Sequence, residues 1–464
     1  RQVGLNTDES QEAGPQDLII IVEAGFGDLS EAIIEQAAVM LTEKTTRTEN
    51  NLDYRPRTLD TALGFLPDAT LASISIPGEY AAMEASKCTA RGLNVFLFSD
   101  NVSIDDEKSL KKSALDKNLL FMGPDCGTAY INGVALGFAN IIQRGRIGCI
   151  AASGTGLQAV VCQIDRLGEG ISHGIGVGGR DLSREVGGLM TTYSLDLLEN
   201  DQETEVIILL SKPPHPSVVE ELESICSKMS TPVVTCFPGT EIPGNTFTQA
   251  ATLDEAATRA VGMLSGKPFE PCRFEDAAKI DRLLDAAGKV SEGKCVLGLF
   301  TGGTLAKEAQ IILASELGSV ANSLDEISEH VVVDLGDDQY TVGRPHPMIA
   351  PESRTEILLD LAAEESLESY GVLLVDMVLG NGSHLDPAQE LAKSVETLRN
   401  QYGFSAHVVA AVIGTEDDPQ DLVTQVKTLQ DAGVAVFRTN SEAARYAAML
   451  ISAACRVRNL KEVK

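Results

Sequence analysis

The chain has 464 residues, 44% of them hydrophobic and 22% charged, with a formal charge of -30. That is globular material with length for about three domains, and the acidic excess excludes nucleic acid or an anionic membrane surface as the main partner. No apolar run is long enough to span a membrane, no signal-peptide pattern opens the chain, and nine scattered cysteines without a CxxC pair argue against zinc and disulfides and for reduced thiols in the cytoplasm.

The chain begins with Arg1 rather than Met, so an N-terminal piece is expected to be missing. Asp17 to Val22 reads as a buried strand, Ala24 to Asp28 as a turn and Leu29 to Leu41 as a helix, before a polar link from Thr42 to Arg57. From Leu63 onward, strands and helices alternate. Leu71 to Ile76, Val95 to Ser99 and Leu119 to Met122 are strands, with helices opening at Pro77 and at Asp105. The run Gly123, Pro124, Asp125, Cys126, Gly127, Thr128 is a sharp polar loop. Cys126 is a nucleophile there only if its thiol is acidified; otherwise it is a small buried residue.

Ile147 to Ala151 is a buried strand running into Ala152, Ser153, Gly154, Thr155, Gly156 and then a helix. Small residues let a ligand approach the backbone, and the first helical turn offers free N–H groups and a positive dipole end to phosphate. A plain Ser-capped turn is the other reading. The same design returns at Leu297 to Phe300 followed by Thr301, Gly302, Gly303, Thr304. Downstream parts also recur in order, Ile175 to Asp181 against Val333 to Asp338, and Val233 to Glu241 against Val409 to Glu416. The expectation is an α/β chain of three Rossmann-like or flavodoxin-like parallel-sheet domains, the last two an internal repeat. Their boundaries are expected at 1–145, 146–266 and 294–464, with 267–293 as a linker.

Several polar groups fall in loops after strands, where ligands sit in such folds. Arg180 and Asp181 follow Gly178 and Gly179; Arg180 is suited to a carboxylate or phosphate, or to a surface ion pair. Asp337 and Asp338 precede Arg344, Pro345, His346 and Pro347. Paired carboxylates hold a proton or share a cation, and a His fixed between prolines suits proton transfer; a structural loop closed by an Arg344 ion pair is the alternative. Lys212 sits between a strand and Pro213. No metal site is expected. His215 and His384 are assigned no role, and His173, His330 and His407 are read as structural.

The runs Gly123–Thr128, Ala152–Gly156, Gly176–Ser183, Ser211–Pro214, Thr301–Ala306 and Asp334–Met348 resemble the FdrA family, over nearly everything from Leu63 to the end. That family is related to succinyl-CoA synthetase. The resemblance implies that Leu63 to Gly145 is similar to its CoA-binding domain and Ile147 to Leu264 to the second domain of its α subunit. Lys294 onward is similar to the carboxyl-terminal domain of its β subunit. It implies that the turns at Ser153–Gly154–Thr155 and Thr301–Gly302–Gly303 open facing helices that hold a phosphate. Two features depart from it. The loop Pro238–Gln249, where the relative carries a phosphorylated histidine, has no His, and Ala24–Gly27 is a poor match to the pyrophosphate loop. The family is also linked to oxamate carbamoyltransferase, which converts oxalurate and phosphate to oxamate and carbamoyl phosphate in allantoin degradation, with partner subunits and a carbamate kinase. The implied function is a subunit of that transferase, with an NDP-forming acyl-CoA synthetase as the alternative and a non-catalytic anion-binding scaffold as a further one. Implied ligands are phosphate or carbamoyl phosphate at the turns, a small anionic substrate at Arg180, Arg344 or Lys212, and CoA as a weaker candidate near Gly123 to Cys126. Partner subunits or a homo-oligomer are implied.

Overall fold

The computed structural model describes residues 56–462, apart from 245, 288–294, 325–328 and 342, with backbone only at 338 and 453–462. The strand, turn and helix expected between Asp17 and Leu41 lie outside these residues. A short helix, Leu59–Phe65, belongs to a first compact unit, Arg1–Pro67. All that follows belongs to the second unit, Asp68–Lys464.

The second unit carries three sheets. Strands β1 (Leu71–Ile74), β2 (Asn94–Leu97) and β3 (Phe121–Met122) form a small parallel sheet in that order. Its crossover helices are Gly78–Ala90 and Ile104–Leu115. Ser103 starts the latter by accepting the N–H of Asp106, and Asp105, Asp106 and Glu107 place negative charge at its positive end.

The next strands are β4 (Thr128–Ile131), β5 (Val134–Gly137), β6 (Arg144–Ala151), β7 (Ile171–Gly176), β8 (Val206–Leu210), β9 (Val233–Cys236) and β10 (Thr248–Ala250). They make one sheet in the order β10-β9-β8-β6-β7-β4-β5. β4 and β5 form an antiparallel hairpin on its edge, turned at Asn132 and Gly133, both with positive φ (51° and 79°). Asn-Gly favours that turn because both positions need the left-handed region. The sequence reading assigns nothing to Ala129–Gly137; by its hydrogen bonds the hairpin joins the second sheet, ahead of the boundary expected at residue 146.

The third sheet is wholly parallel. It takes β11 (Cys295–Phe300), β12 (Val320–Ala321), β13 (His330–Asp334), β14 (Tyr370–Val378), β15 (His407–Ile413) and β16 (Val434–Phe437) in the order β12-β13-β11-β14-β15-β16. β8, β11 and β14 are buried along their whole length, as expected of strands covered by helices on both faces. The order β7-β6-β8-β9-β10 is similar to β13-β11-β14-β15-β16, except that the short β12 comes between β11 and β13 in the chain and sits outside β13. In that order the chain reverses direction beside the first strand, and the crevice above it is where ligands bind. The glycine turns follow β6 and β11, each beside the point where the strand order reverses. One apolar cluster joins the two halves, from Ile147, Leu157 and Ile208 to Phe300, Leu305 and Val409.

Candidate functional site

The two glycine turns meet. Ser153 caps the helix Gly154–Arg166, its hydroxyl accepting the N–H of Gly156 at 3.0 Å. The helix Gly303–Leu317 opens at Gly302 with no side-chain cap. A Cβ on Gly302 would fall 2.6 Å from both Cβ and Cγ2 of Thr155, and one on Gly156 would fall 3.1 Å from Cγ2 of Thr304. Only glycine permits so close an approach. Two positive helix ends are thus brought into contact.

Two buried hydroxyls at or beside these helix starts have no partner among the described residues. Thr304 Oγ1 belongs to the second helix, and Thr304 is 3% exposed. Thr128 Oγ1 lies 3.1 Å from where a Cβ of Gly154 would be. Unsatisfied buried hydroxyls cost about 1–3 kcal/mol each, a cost that an oxyanion held beside them would offset.

The second turn is fixed from below. Thr301 donates its N–H to Asp376 Oδ1 at 2.7 Å and its hydroxyl to Oδ2 at 3.0 Å. Arg354 donates to the same carboxylate at 2.8 Å, and both charged groups are buried. Burial pushes the Asp376 carboxyl up while Arg354 and Thr301 pull it down.

Charged groups ring the mouth. Lys212, exposed after β8, brings Nζ within 3.7 Å of the Cβ position of Gly303, so a residue of the second sheet reaches the turn of the third. Asp334 stands beside Phe300 in the register of β13 and β11. Its Oδ2 lies 2.6 Å from the same Cβ position, and its Oδ1 accepts the N–H of Gly336 at 2.9 Å. Burial pushes its carboxyl up to about 6, with Asp376 and Asp337 adding and Lys212 opposing. His346 Nε2 lies 2.8 Å from a Cβ position on Gly336, and the ring packs on Phe138. Burial holds His346 down at about 4, so the imidazole is neutral at pH 7. Its Nδ1 accepts the N–H of Met348, which assigns the ring proton to Nε2.

Ser153, Gly154, Thr155, Gly156, Thr301, Gly302, Gly303, Thr304, Lys212 and His346 are therefore brought together. Other expected residues are not. Asp181 is fully buried and spent: it accepts from Lys111 Nζ at 2.8 Å and from Thr191 N–H and Oγ1 at 2.9 and 2.7 Å. Arg180 binds Glu107 at 2.9 Å and the carbonyl of Val102 at 2.8 Å. This network ties the first sheet to the second and, for Arg180, realises the ion pair that was the alternative to gripping a ligand. Arg344 is half-exposed, in a 2.6 Å ion pair with Glu356. Asp337 is exposed and accepts the N–H of Gln339; the side chain of Asp338 lies outside the described residues. In the Gly123–Pro124–Asp125–Cys126 loop, burial pushes the Cys126 thiol up to about 12. It donates to the carbonyls of Gly176 and Thr128 and is no nucleophile. In the loop without histidine, Gln249 bonds both backbone groups of Ile242 and closes it on itself.

Asp334, Asp376 and Arg354 lie at or beneath the second turn and were not singled out by the sequence reasoning. The usable signal was an acid at the end of, or inside, an otherwise apolar strand: His330 to Asp334 and Tyr370 to Val378.

Comparison with known proteins agrees on the class. Residues 299–450 match the CoA-ligase family and residues 142–239 match the CoA binding domain family. The second match falls on the second sheet, not on Leu63 to Gly145, where the resemblance placed it. The uncharacterized protein YahF of Escherichia coli is 37% identical over 455 residues, 94% of this chain and 86% of that protein. The α subunit of malate–CoA ligase from Methylorubrum extorquens is 28% identical over 211 residues, 42% of this chain and 70% of the relative. Among solved structures, the apo form of a dinucleotide-forming acetyl-coenzyme A synthetase from Ca. Korarchaeum cryptofilum is 15% identical, with 85% of each chain covered and a TM-score of 0.31. No helix among the described residues is long and apolar enough to cross a membrane.

Proposed function

The chain belongs to the family of the Escherichia coli protein YahF and carries CoA-ligase and CoA-binding domains, and on that premise we propose that it performs phosphate-dependent acyl transfer at the paired glycine turns. Phosphate, held by the two helix starts, attacks the carbonyl carbon of an acyl donor. The bond to the donor's leaving group breaks, and the proton given up by hydrogen phosphate ends on that group. An acyl phosphate and a free thiol or amide result. The observation that carries this reading is the contact between the turns, with the orphaned Thr304 hydroxyl and Lys212 beside them. Helix dipoles, hydroxyls and an ammonium group aimed at one oxyanion stabilise the charge that builds up in transfer.

The donor favoured by the two domain matches is a CoA thioester, which makes the chain an acyl-CoA synthetase or succinyl-CoA ligase type of enzyme. A second reading takes oxalurate as donor and makes it the FdrA-type subunit of an oxamate carbamoyltransferase, working with partner subunits. One feature favours it: the Pro238–Gln249 loop has no histidine to carry phosphate onward, so transfer ends at the acyl or carbamoyl phosphate.

The test offers the full chain phosphate with succinyl-CoA or acetyl-CoA, and separately with oxalurate, alone and with its partner subunits. Acyl phosphate is trapped with hydroxylamine and carbamoyl phosphate is measured directly. The expected result is phosphate-dependent product from one donor, lost in Thr304→Val and Lys212→Met. A chain that binds no phosphate, by calorimetry, overturns the reading.

A further inference from the structure

The crevice holds a charge that a simple anion site would omit. Asp334 Oδ2 faces Gly303 at the uncapped start of the second helix, and among the described residues nothing donates to it. The other groups around it are known. Lys212 approaches from the loop after β8, Asp376 lies beneath on β14, Asp337 is in its own loop, and neutral His346 stands across Gly336. One ammonium group offsets one carboxylate at the mouth, which leaves the helix ends, the Thr304 hydroxyl and Lys212 as donors and Asp334 as an acceptor.

We infer that Asp334 makes this cradle selective for oxyanions that carry a hydrogen, namely hydrogen phosphate and its protonated monoesters, over fully deprotonated ones such as sulfate. The inference rests on the phosphate reading of the paired turns and names what they accept. Hydrogen phosphate and sulfate have the same charge, shape and size near neutral pH. They differ in one hydrogen. Hydrogen phosphate donates its P–OH to Oδ2 and accepts from the helix N–H groups and Lys212 with its other oxygens. Sulfate has only lone pairs to set against the carboxylate, so it leaves that acceptor unpaired and in repulsion. A site built to receive a hydrogen bond rejects the analogue that lacks the donor. The carboxyl, pushed up to about 6 by burial, is ionised at pH 7.5 and can only accept.

The experiment is calorimetric titration of the full chain at pH 7.5 with inorganic phosphate and with potassium sulfate. Wild type is expected to prefer phosphate by roughly tenfold or more, the worth of one hydrogen bond to a charged group. Asp334→Asn, which offers both a donor and an acceptor, is expected to bind the two ions within a few-fold. Asp337→Asn, on the exposed side of the same loop, keeps the wild-type preference. Equal binding of the two ions by wild type, or a preference that survives Asp334→Asn, overturns the assignment and leaves the cradle standing. Failure of wild type to bind either ion removes the phosphate reading and the assignment with it. If Asp334→Asn does not fold, Asp334→Ser replaces it, and the wild-type ratio decides the matter on its own.

Discussion

Gly302→Ala drives a methyl group into the opposite turn. The backbone at Gly302 is extended, with φ -143° and ψ 125°, so alanine meets no strain of its own there. Its Cβ would lie 2.6 Å from Cβ and Cγ2 of Thr155, and those atoms sit at a helix start packed against the shared core. Overpacking of this kind costs about 1–3 kcal/mol. Thr155→Gly removes every atom the new methyl strikes and by itself costs up to about 1 kcal/mol, the propensity penalty of glycine in a helix. The double variant should therefore be more stable than the sum of the two single effects by about 1–2 kcal/mol. With an unfolding entropy of about 2.1 cal/mol/K per residue over roughly 400 residues, each kcal/mol moves the melting midpoint by roughly 1 °C. Calorimetric melting of all four proteins, with phosphate affinity in parallel, gives the coupling. Gly302→Ala should also weaken phosphate binding, and Thr155→Gly should restore part of it. Strict additivity in both readouts means that the turns do not touch, and the shared crevice is then lost as an explanation of anything.

Asp376→Ala strands the buried Arg354 guanidinium and unfastens Thr301 from both of its acceptors; a loss of about 3–5 kcal/mol is expected on denaturant unfolding. The raised carboxyl of Asp334 gives a pH signature. Its native value of about 6 lies above the ordinary 3.8, so the native state binds more protons than the unfolded chain between about pH 4 and pH 6. Raising the pH through that window therefore costs the wild type stability, at most roughly 3 kcal/mol, and the cost stays constant above it. Asp334→Asn should melt with a correspondingly smaller fall between pH 4 and pH 8, and an identical fall in both proteins contradicts the burial argument. Brief alkylation of the native chain should mark Cys272, which is exposed, and spare Cys126, whose buried thiol stays protonated; peptide mapping reads the two sites.

The strands were legible because they are short apolar runs closed by glycine or polar loops, and the glycine turns were legible because two copies sit in the same place relative to those runs. Their contact with each other was an implication of resemblance, since nothing local to Thr155 names Gly302 as its neighbour. Arg180 and Asp181 show the limit. The glycines before them suggested room for a ligand, but the partners that consume them, Glu107 and Lys111, lie about 70 residues upstream on a helix of the first sheet. No spacing rule connects those positions. Arg344 and Glu356 pose the same problem at shorter range. The hairpin was missed for a different reason. Asn132-Gly133 is a strong turn signal, yet Thr128 to Gly137 is flanked by polar loops, and only the pairing of Tyr130 with Gly174 makes it part of a sheet.

Two helix starts carry like partial charges, so bringing them into contact is unfavourable. Something else must hold them, and a buried polar lock one turn away does so. Gln158, one turn along the first helix, donates to Asn140 Oδ1 at 3.0 Å and to the carbonyl of Leu379 at 3.3 Å. Asn140 donates in turn to the Leu379 carbonyl at 3.1 Å and to Asp418 Oδ2 at 2.6 Å. Asp418 also accepts the N–H groups of Ile141 and Thr415, each at 2.8 Å. These bonds join the segment before β6 and the first helix to the loops after β14 and β15, and the core shared by both sheets closes around them. Catalysis by fixed dipoles works only if the donors are already aimed before charge develops, because reorienting them during the reaction would return the gain. The bonds between the two sheets thus fix how the two helix starts approach each other, which is the preorganisation that the proposed transfer needs.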